Sequence, residues 1–335
     1  MLEGKIMRAL VYTAPRQVTL KELPRPRPAA GESEIAVTAA GICGSDLSGF
    51  LGRSRHRIPP LVLGHELVGR RPDGRRVVAN PLIGCGHCTV CLNGAQNLCS
   101  SFRLLGMDRT SGCHAEFVVL PESQVYEIPD HLTDARAVLT EPLANIVHLF
   151  RIAAPQPFFR MGIVGGGTMG SLALLTARRM GAREILVEDV SDARLETVRA
   201  MGATLAVNAG TEEGRAEGSR FAGHGLDLAL DACGTSAARQ AAFDLCRPGG
   251  LVVLLGMGHP RSEIDFVTSI RKEHRVAMSF AYTPADFERA LKLLADGEID
   301  LSPWTVEMPL EEGQKAFERM TTAPGATLRM VLRVS

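Results

Sequence analysis

Four cysteines carry the first chemical signal: Cys85, Cys88, Cys91 and Cys99 follow one another as C-x2-C-x2-C-x7-C. The close spacings bring three thiolates around one point and the longer loop returns the fourth, which is the ligand set of a closed tetrahedral zinc site. Two disulfides or a redox CxxC pair are the competing readings. A reducing compartment disfavours the first, and the overlapping spacings exceed what a redox pair needs. With sulfur at every position the ion has no open site, so it is expected to staple the lobe rather than to react. Cys113, Cys233 and Cys246 lack such spacing and are expected to be buried small hydrophobes.

A second constellation is dispersed. Cys43 lies in GICGSD, His65 and Glu66 lie in GHE, and Glu141 lies in TEPLA, giving one thiolate, one imidazole and two carboxylates from three segments. Taken singly, each has an ordinary structural explanation in a core or on a surface. Further on, Gly165, Gly167 and Gly170 in VGGGTMG make G-x-G-x-x-G, with Thr168 and Met169 between the last two glycines. The motif directly follows the strand-like MGIV and opens a helix, the context in which such glycines admit a dinucleotide pyrophosphate. At the end of the next strand-like run, EILVEDV, Asp189 stands where an acid would accept the ribose hydroxyls. Val190 and Ser191 follow with no immediate arginine for a 2′-phosphate, so NAD is expected over NADP.

The order GICGSDL, GHE, the cysteine tetrad, EPLA and the glycine-rich turn resembles the zinc-containing medium-chain alcohol and polyol dehydrogenases over nearly the whole chain. The resemblance implies an α/β protein in which a GroES-like, β-rich catalytic domain is joined to a Rossmann domain with a doubly wound parallel sheet. It also implies two zinc ions per chain, one structural and one catalytic. Cys43, His65 and Glu66 would hold the catalytic ion, and Glu141 would bind it directly or hold its water. Ser45 would receive the substrate's hydroxyl proton, and Arg329 would lie near the pyrophosphate unless it is simply a solvent-facing strand residue. Many members carry a histidine five residues after the ligand cysteine as an outer proton relay, but this chain has Ser48. A serine cannot store a proton near neutral pH as a histidine can. His56 is a candidate substitute, although Arg53, Arg55 and Arg57 around it suggest an exposed polar loop.

These residues need a frame. From Met7 to about Val125, short β-rich runs (MRALVY, EIAVTAAG, LVLGHELVG, RRVVANP, AEFVVL) are broken by Gly and Pro. From about residue 151, apolar strand-like runs alternate with helical stretches at Met169 to Met180 and Ala193 to Met201, the pattern of a parallel sheet covered by helices. The boundaries expected are a catalytic domain over 1–150, a cofactor domain over 151–281, and a segment 282–335 that returns to the first domain.

Lys+Arg and Asp+Glu both total 37, so no net charge draws the chain to nucleic acid or an anionic membrane. Pro15, Pro24, Pro26 and Pro28 interrupt the N-terminal region, and no later stretch reaches ~18 apolar residues, so a soluble cytoplasmic protein is expected. The expected partner is a small polyhydroxylated substrate, with the chain itself forming a homodimer or homotetramer as in the family it resembles. Glu66 and TEPLA resemble the polyol, sugar and threonine branch, and CGSDLS resembles aminocyclitol (2-deoxy-scyllo-inosamine) dehydrogenases. Arginines in GRSRHR point instead to a phosphorylated polyol. A zinc-stapled dinucleotide-binding protein without catalysis is the reading from another class, and it requires a damaged second metal site.

Overall fold

The computed structural model describes residues 5–334. Two compact units emerge, Met1–Ala144 with Tyr282–Ser335, and Asn145–Ala281. The first division falls after Ala144, earlier in the helix Thr140–Ala153 than the boundary expected at 150.

In the first unit the long strand Glu32–Ile42 is the hub. Its neighbours are Glu66–Arg70 and Arg329–Arg333, both antiparallel to it, and Thr305–Pro309 lies beyond the latter. Burial alternates along the hub until Ala39 and then stays complete to Ile42, because its end is covered on both faces. The register sets Gly41 opposite Glu66 on one side and opposite Val331 on the other. Cys43 is the next residue past the end of this strand, at the start of the helix Gly44–Phe50. The run LVLGHELVG, read as one β-rich segment, breaks into strands Leu61–Val62 and Glu66–Arg70. Gly64 at φ 96° makes the break, and His65 is presented from the end of the turn. Tyr12, Ile35, Phe50, Leu120, Phe317 and Leu332 are core members behind these strand ends. The strand Thr305–Pro309 was not read from the sequence; its two proline-flanked turns mask a half-buried pattern.

The second unit is a six-stranded parallel sheet: Arg160–Val164, Glu184–Asp189, Leu205–Asn208, Leu226–Asp231, Cys246–Leu254 and Arg275–Met278. Numbered along the chain, they lie in the order third, second, first, fourth, fifth, sixth. Helices cover the sheet, so Ile163, Leu186, Val187, Leu230 and Val252 are buried and the strands read as continuous apolar runs. The order reverses between the first and fourth strands, and the carboxyl ends at such a switch point form the crevice where these sheets take ligands. Among the described residues, no helix is long and apolar enough to cross a membrane.

Candidate active site and metal centres

The cysteine tetrad occupies a small lobe pinned at its base by pairing of Leu82–Ile83 with Arg103–Leu104. Leu92 and Leu98 are 74% and 61% exposed, so the lobe has little apolar core of its own. Its four sulfurs converge instead. Cys85 and Cys91 Sγ are 3.9 Å apart, and Cys88 and Cys99 Sγ are 3.8 Å apart. A tetrahedron with Zn–S bonds of ~2.3 Å has edges of ~3.8 Å, so the set fits a single zinc ion. Backbone N–H groups of Cys85, Cys88 and Ser101 donate to cysteine sulfur at 3.4 Å. Donors from the 86–88 turn hold the Cys85 thiol down at about 6, whereas burial pushes Cys91 up to about 12.

Cys43, His65 and Glu66 form the other cluster, with one ligand atom from each lying within 4.8 Å of the others. Among the described residues, these are the two groups of three or more His, Cys, Asp or Glu that converge so closely. Both Glu66 oxygens are buried, as is His65 Nδ1, which lies 3.5 Å from Asp46 Oδ1. Burial disfavours an imidazolium here, but Asp46 and then Cys43 outweigh it and hold His65 at about 10. The Cys43 thiol is lowered because His65 outweighs burial and the nearby carboxylates. A thiol drawn toward its thiolate, a carboxylate and an imidazole, converging within 4.8 Å, are a donor set that fits a divalent cation. Glu141 falls outside the close trio but acts on Cys43 electrostatically. It also flanks Tyr282, whose phenol is raised by burial first and by Glu141 second.

Three residues beside the cluster were not anticipated. Asp46 has no exposed surface and accepts from the Cys43 backbone N–H at 3.1 Å. Tyr282 is 1% exposed beside Glu141. Arg57, expected in an exposed polar loop, is 6% exposed and pairs with Asp46. The signal for Asp46 was present, since an acid three residues after an N-cap position ordinarily reaches back to the cap N–H. Two further expectations are corrected. His56 does not extend from Ser45: Asp108 takes its Nδ1 at 2.9 Å and Arg55 faces its Nε2 at 3.0 Å. Arg329 is no solvent-facing residue, being 2% exposed with its guanidinium on the Glu66 carboxylate, because the register stacks the two around Gly41.

In the second unit the glycine-rich turn has the form a dinucleotide requires. Gly165 sits at φ 107°, and a Cβ at Gly170 would stand 1.8 Å from the Gly165 carbonyl oxygen. Gly167, by contrast, has nothing within 4 Å of where its Cβ would be, and the helix Thr168–Arg179 starts immediately after it. Asp189 is buried at the end of its strand, accepting from Gly166 N–H at 2.7 Å and Ser191 N–H at 2.9 Å. Arg194, not singled out from the sequence, brings Nη1 to 3.7 Å from Asp189. Cys113 and Cys246 are buried as expected, but Cys233 is exposed, because it lies in the turn beyond the fourth strand rather than in the sheet.

Comparison with known proteins agrees with this arrangement. Residues 29–130 match the alcohol dehydrogenase GroES-like domain, and residues 168–296 match the zinc-binding dehydrogenase domain. An L-threonine 3-dehydrogenase of Saccharopolyspora erythraea is 32% identical, covering 93% of this chain and 95% of its own. Sorbitol dehydrogenase of Bacillus subtilis is 30% identical over 97% of both. The chain belongs to the zinc-type medium-chain alcohol and polyol dehydrogenases. Its GroES-like unit and its parallel-sheet unit are those of the family, and it is an oxidoreductase of this type. A zinc-binding dehydrogenase from Sinorhizobium meliloti 1021, solved bound to NADP, superposes with a TM-score of 0.89 at 26% identity, covering 99% of this chain and all of that one.

In a dehydrogenase built this way, Asp46 is the outer partner that orients the His65 ring. Were zinc held at Cys43, His65 and Glu66, Asp46→Asn would weaken its retention by ~10–100-fold in chelator competition and leave retention at the cysteine tetrad unchanged.

Proposed function

We propose that this dehydrogenase moves a hydride between NAD and a secondary alcohol of a polyol, sugar or aminocyclitol, with one zinc ion at Cys43, His65 and Glu66 and another in the cysteine tetrad. The observation that carries the proposal is the convergence of Cys43 with the buried His65 and Glu66, with fewer protein donors than the closed tetrad and Glu141 acting on Cys43. When bound, the catalytic zinc supplies Lewis acidity toward the substrate oxygen and the nicotinamide accepts the hydride. The chain's own residues orient and deprotonate. Asp46 fixes the His65 ring, Ser45 takes the hydroxyl proton, and the Glu141 carboxylate, with the buried Tyr282 phenol beside it, acts on Cys43.

The polyol reading rests on Glu66 and Glu141 as carboxylate donors and on the sorbitol and threonine dehydrogenase relatives. A phosphorylated substrate drew its support from GRSRHR, and that support weakens: Arg57 is committed to Asp46 and Ser45, and Arg55 faces His56. A protein without catalysis would need a damaged second metal cluster, and the convergence of Cys43, His65 and Glu66 speaks against that reading.

NAD is preferred because the Asp189 carboxylate is already aimed by two backbone donors, and a 2′-phosphate beside it would meet like charge. Thr168 and Met169 at the helix start, with Gly165, Gly167 and Gly170, would cradle the pyrophosphate. The opposing pull comes from Arg194 and from the NADP-bound relative.

The sixth strand, Arg275–Met278, is a sheet edge with Val276 and Met278 exposed, and Phe266, Val267 and Ile270 of the helix Phe266–Arg271 are 63–72% exposed. An apolar edge of this kind aggregates unless covered, so a second copy of the chain is proposed as its cover.

Elemental analysis should give two zinc ions per chain. Cys43→Ala should lose one ion with turnover falling by at least ~100-fold, whereas Cys88→Ser should lose the other with a lower melting temperature; normal turnover in Cys43→Ala would refute the site. A panel of polyols, aminocyclitols and their phosphates should show kcat/KM with NAD exceeding that with NADP by ~10-fold or more, and Asp189→Ala should lose most of that preference. Light scattering should give at least twice the monomer mass, falling when Met278 and Ile270 are both changed to Asp.

A further inference from the structure

Arg57 is a cation buried beside the Asp46 carboxylate. Arg57 lies under the helix Gly44–Phe50 because Gly49 leaves room for it: a Cβ there would stand 2.7 Å from Arg57 Cδ. Its fork has two acceptors. Nε donates to Asp46 Oδ1 at 3.2 Å and Nη2 donates to Ser45 Oγ at 2.9 Å. Asp46 in turn accepts from the Cys43 N–H and lies 3.5 Å from His65. A single planar group thus ties the serine hydroxyl to the carboxylate behind the metal-binding imidazole.

A serine oxygen has one hydrogen to donate and two lone pairs to accept with. Arg57 occupies one lone pair and cannot accept, so the Ser45 hydrogen must point elsewhere, and the rotor that a serine ordinarily enjoys is restricted. We infer that Arg57 is the positioning residue of the proton path, holding Ser45 with its second lone pair toward the substrate hydroxyl and its own hydrogen toward the exit. The inference rests on the reading that Ser45 receives the proton. In that step the substrate O–H bond breaks and its proton bonds to Ser45 Oγ. The proton already on Oγ passes to water, leaving the serine neutral, while the hydride departs separately to the dinucleotide. The adjacent guanidinium disfavours a positively charged serine, so the two proton movements are coupled. This gives the chain a fixed relay geometry in the absence of a histidine at Ser48. A lysine would keep the positive charge beside Asp46 but, as a point charge on a flexible stem, would not serve both acceptors in one plane.

The test is a double-mutant cycle on the zinc-loaded enzyme: parent, Arg57→Lys, Ser45→Ala and the double variant, each assayed for kcat, KM and the solvent deuterium isotope effect on kcat. Arg57→Lys is expected to lower kcat by about tenfold with KM changed by less than about twofold, and to raise the isotope effect. In the Ser45→Ala background the same change is expected to have almost no further effect. Equal losses in both backgrounds, or an unchanged isotope effect, would overturn the role of Arg57 while leaving the Ser45 path standing. Parent-like kcat in Ser45→Ala would instead remove the path itself and the inference with it. Zinc content and circular dichroism report whether Arg57→Lys stays folded; if it does not, Arg57→Gln is read in the same cycle against the same outcomes.

Discussion

A carboxylate with no exposed surface, Asp46, is the constraint on which the candidate active site depends. Burying a charge costs several kcal/mol unless it is paired and hydrogen-bonded. Asp46 is held well below the usual carboxylate range because His65 and then Arg57 outweigh its burial. Its contacts reach the Cys43 backbone, the His65 ring and the Arg57 fork. Those three come from the start of a helix, a turn between two strands and an arginine-rich loop. One charge therefore fixes the relative placement of a thiolate, an imidazole and, through Arg57, the Ser45 hydroxyl. Removing either partner would leave the other charge buried and uncompensated, which is the costly way to break such a pair.

The same economy recurs at Glu66. Its carboxylate converges with Cys43 and His65 and is also the partner of Arg329 from the C-terminal strand, so the returning segment is part of the candidate site and not only of the core. In the other unit, the equivalent organising group is Asp189, which bonds to the glycine-rich turn through Gly166 and to the following loop through Ser191. Each unit thus sets its chemistry at strand ends, where backbone groups are free to bind side chains instead of neighbouring strands.

Much of this was legible in the sequence for a physical reason: the readable features are local. The tetrad spacing C-x2-C-x2-C-x7-C, the glycines of VGGGTMG and the acid at the end of EILVEDV each declare their geometry within a few residues. Cys43, His65, Glu66 and Glu141 became readable only together and with a family pattern, since each alone resembles a core or surface residue. What stayed hidden depends on pairing between distant segments. Nothing near Arg57 says that it turns inward while Arg53 and Arg55 do not, because the cavity that receives it is made by Gly49. The Glu66 and Arg329 contact arises from strand register, and Tyr282 meets Glu141 only after the chain has passed through a whole intervening unit.

On the proposed function, the Cys43, His65 and Glu66 cluster holds an ion open to the substrate while the tetrad holds one that is closed. Replacing zinc with cobalt(II) and recording the visible spectrum during titration with an active alcohol separates the two. The absorption of cobalt bound at the three-residue cluster should shift as alcohol is added, while the tetrathiolate bands stay fixed. A spectrum in which the alcohol moves neither set of bands, or moves only the tetrathiolate set, would contradict that function.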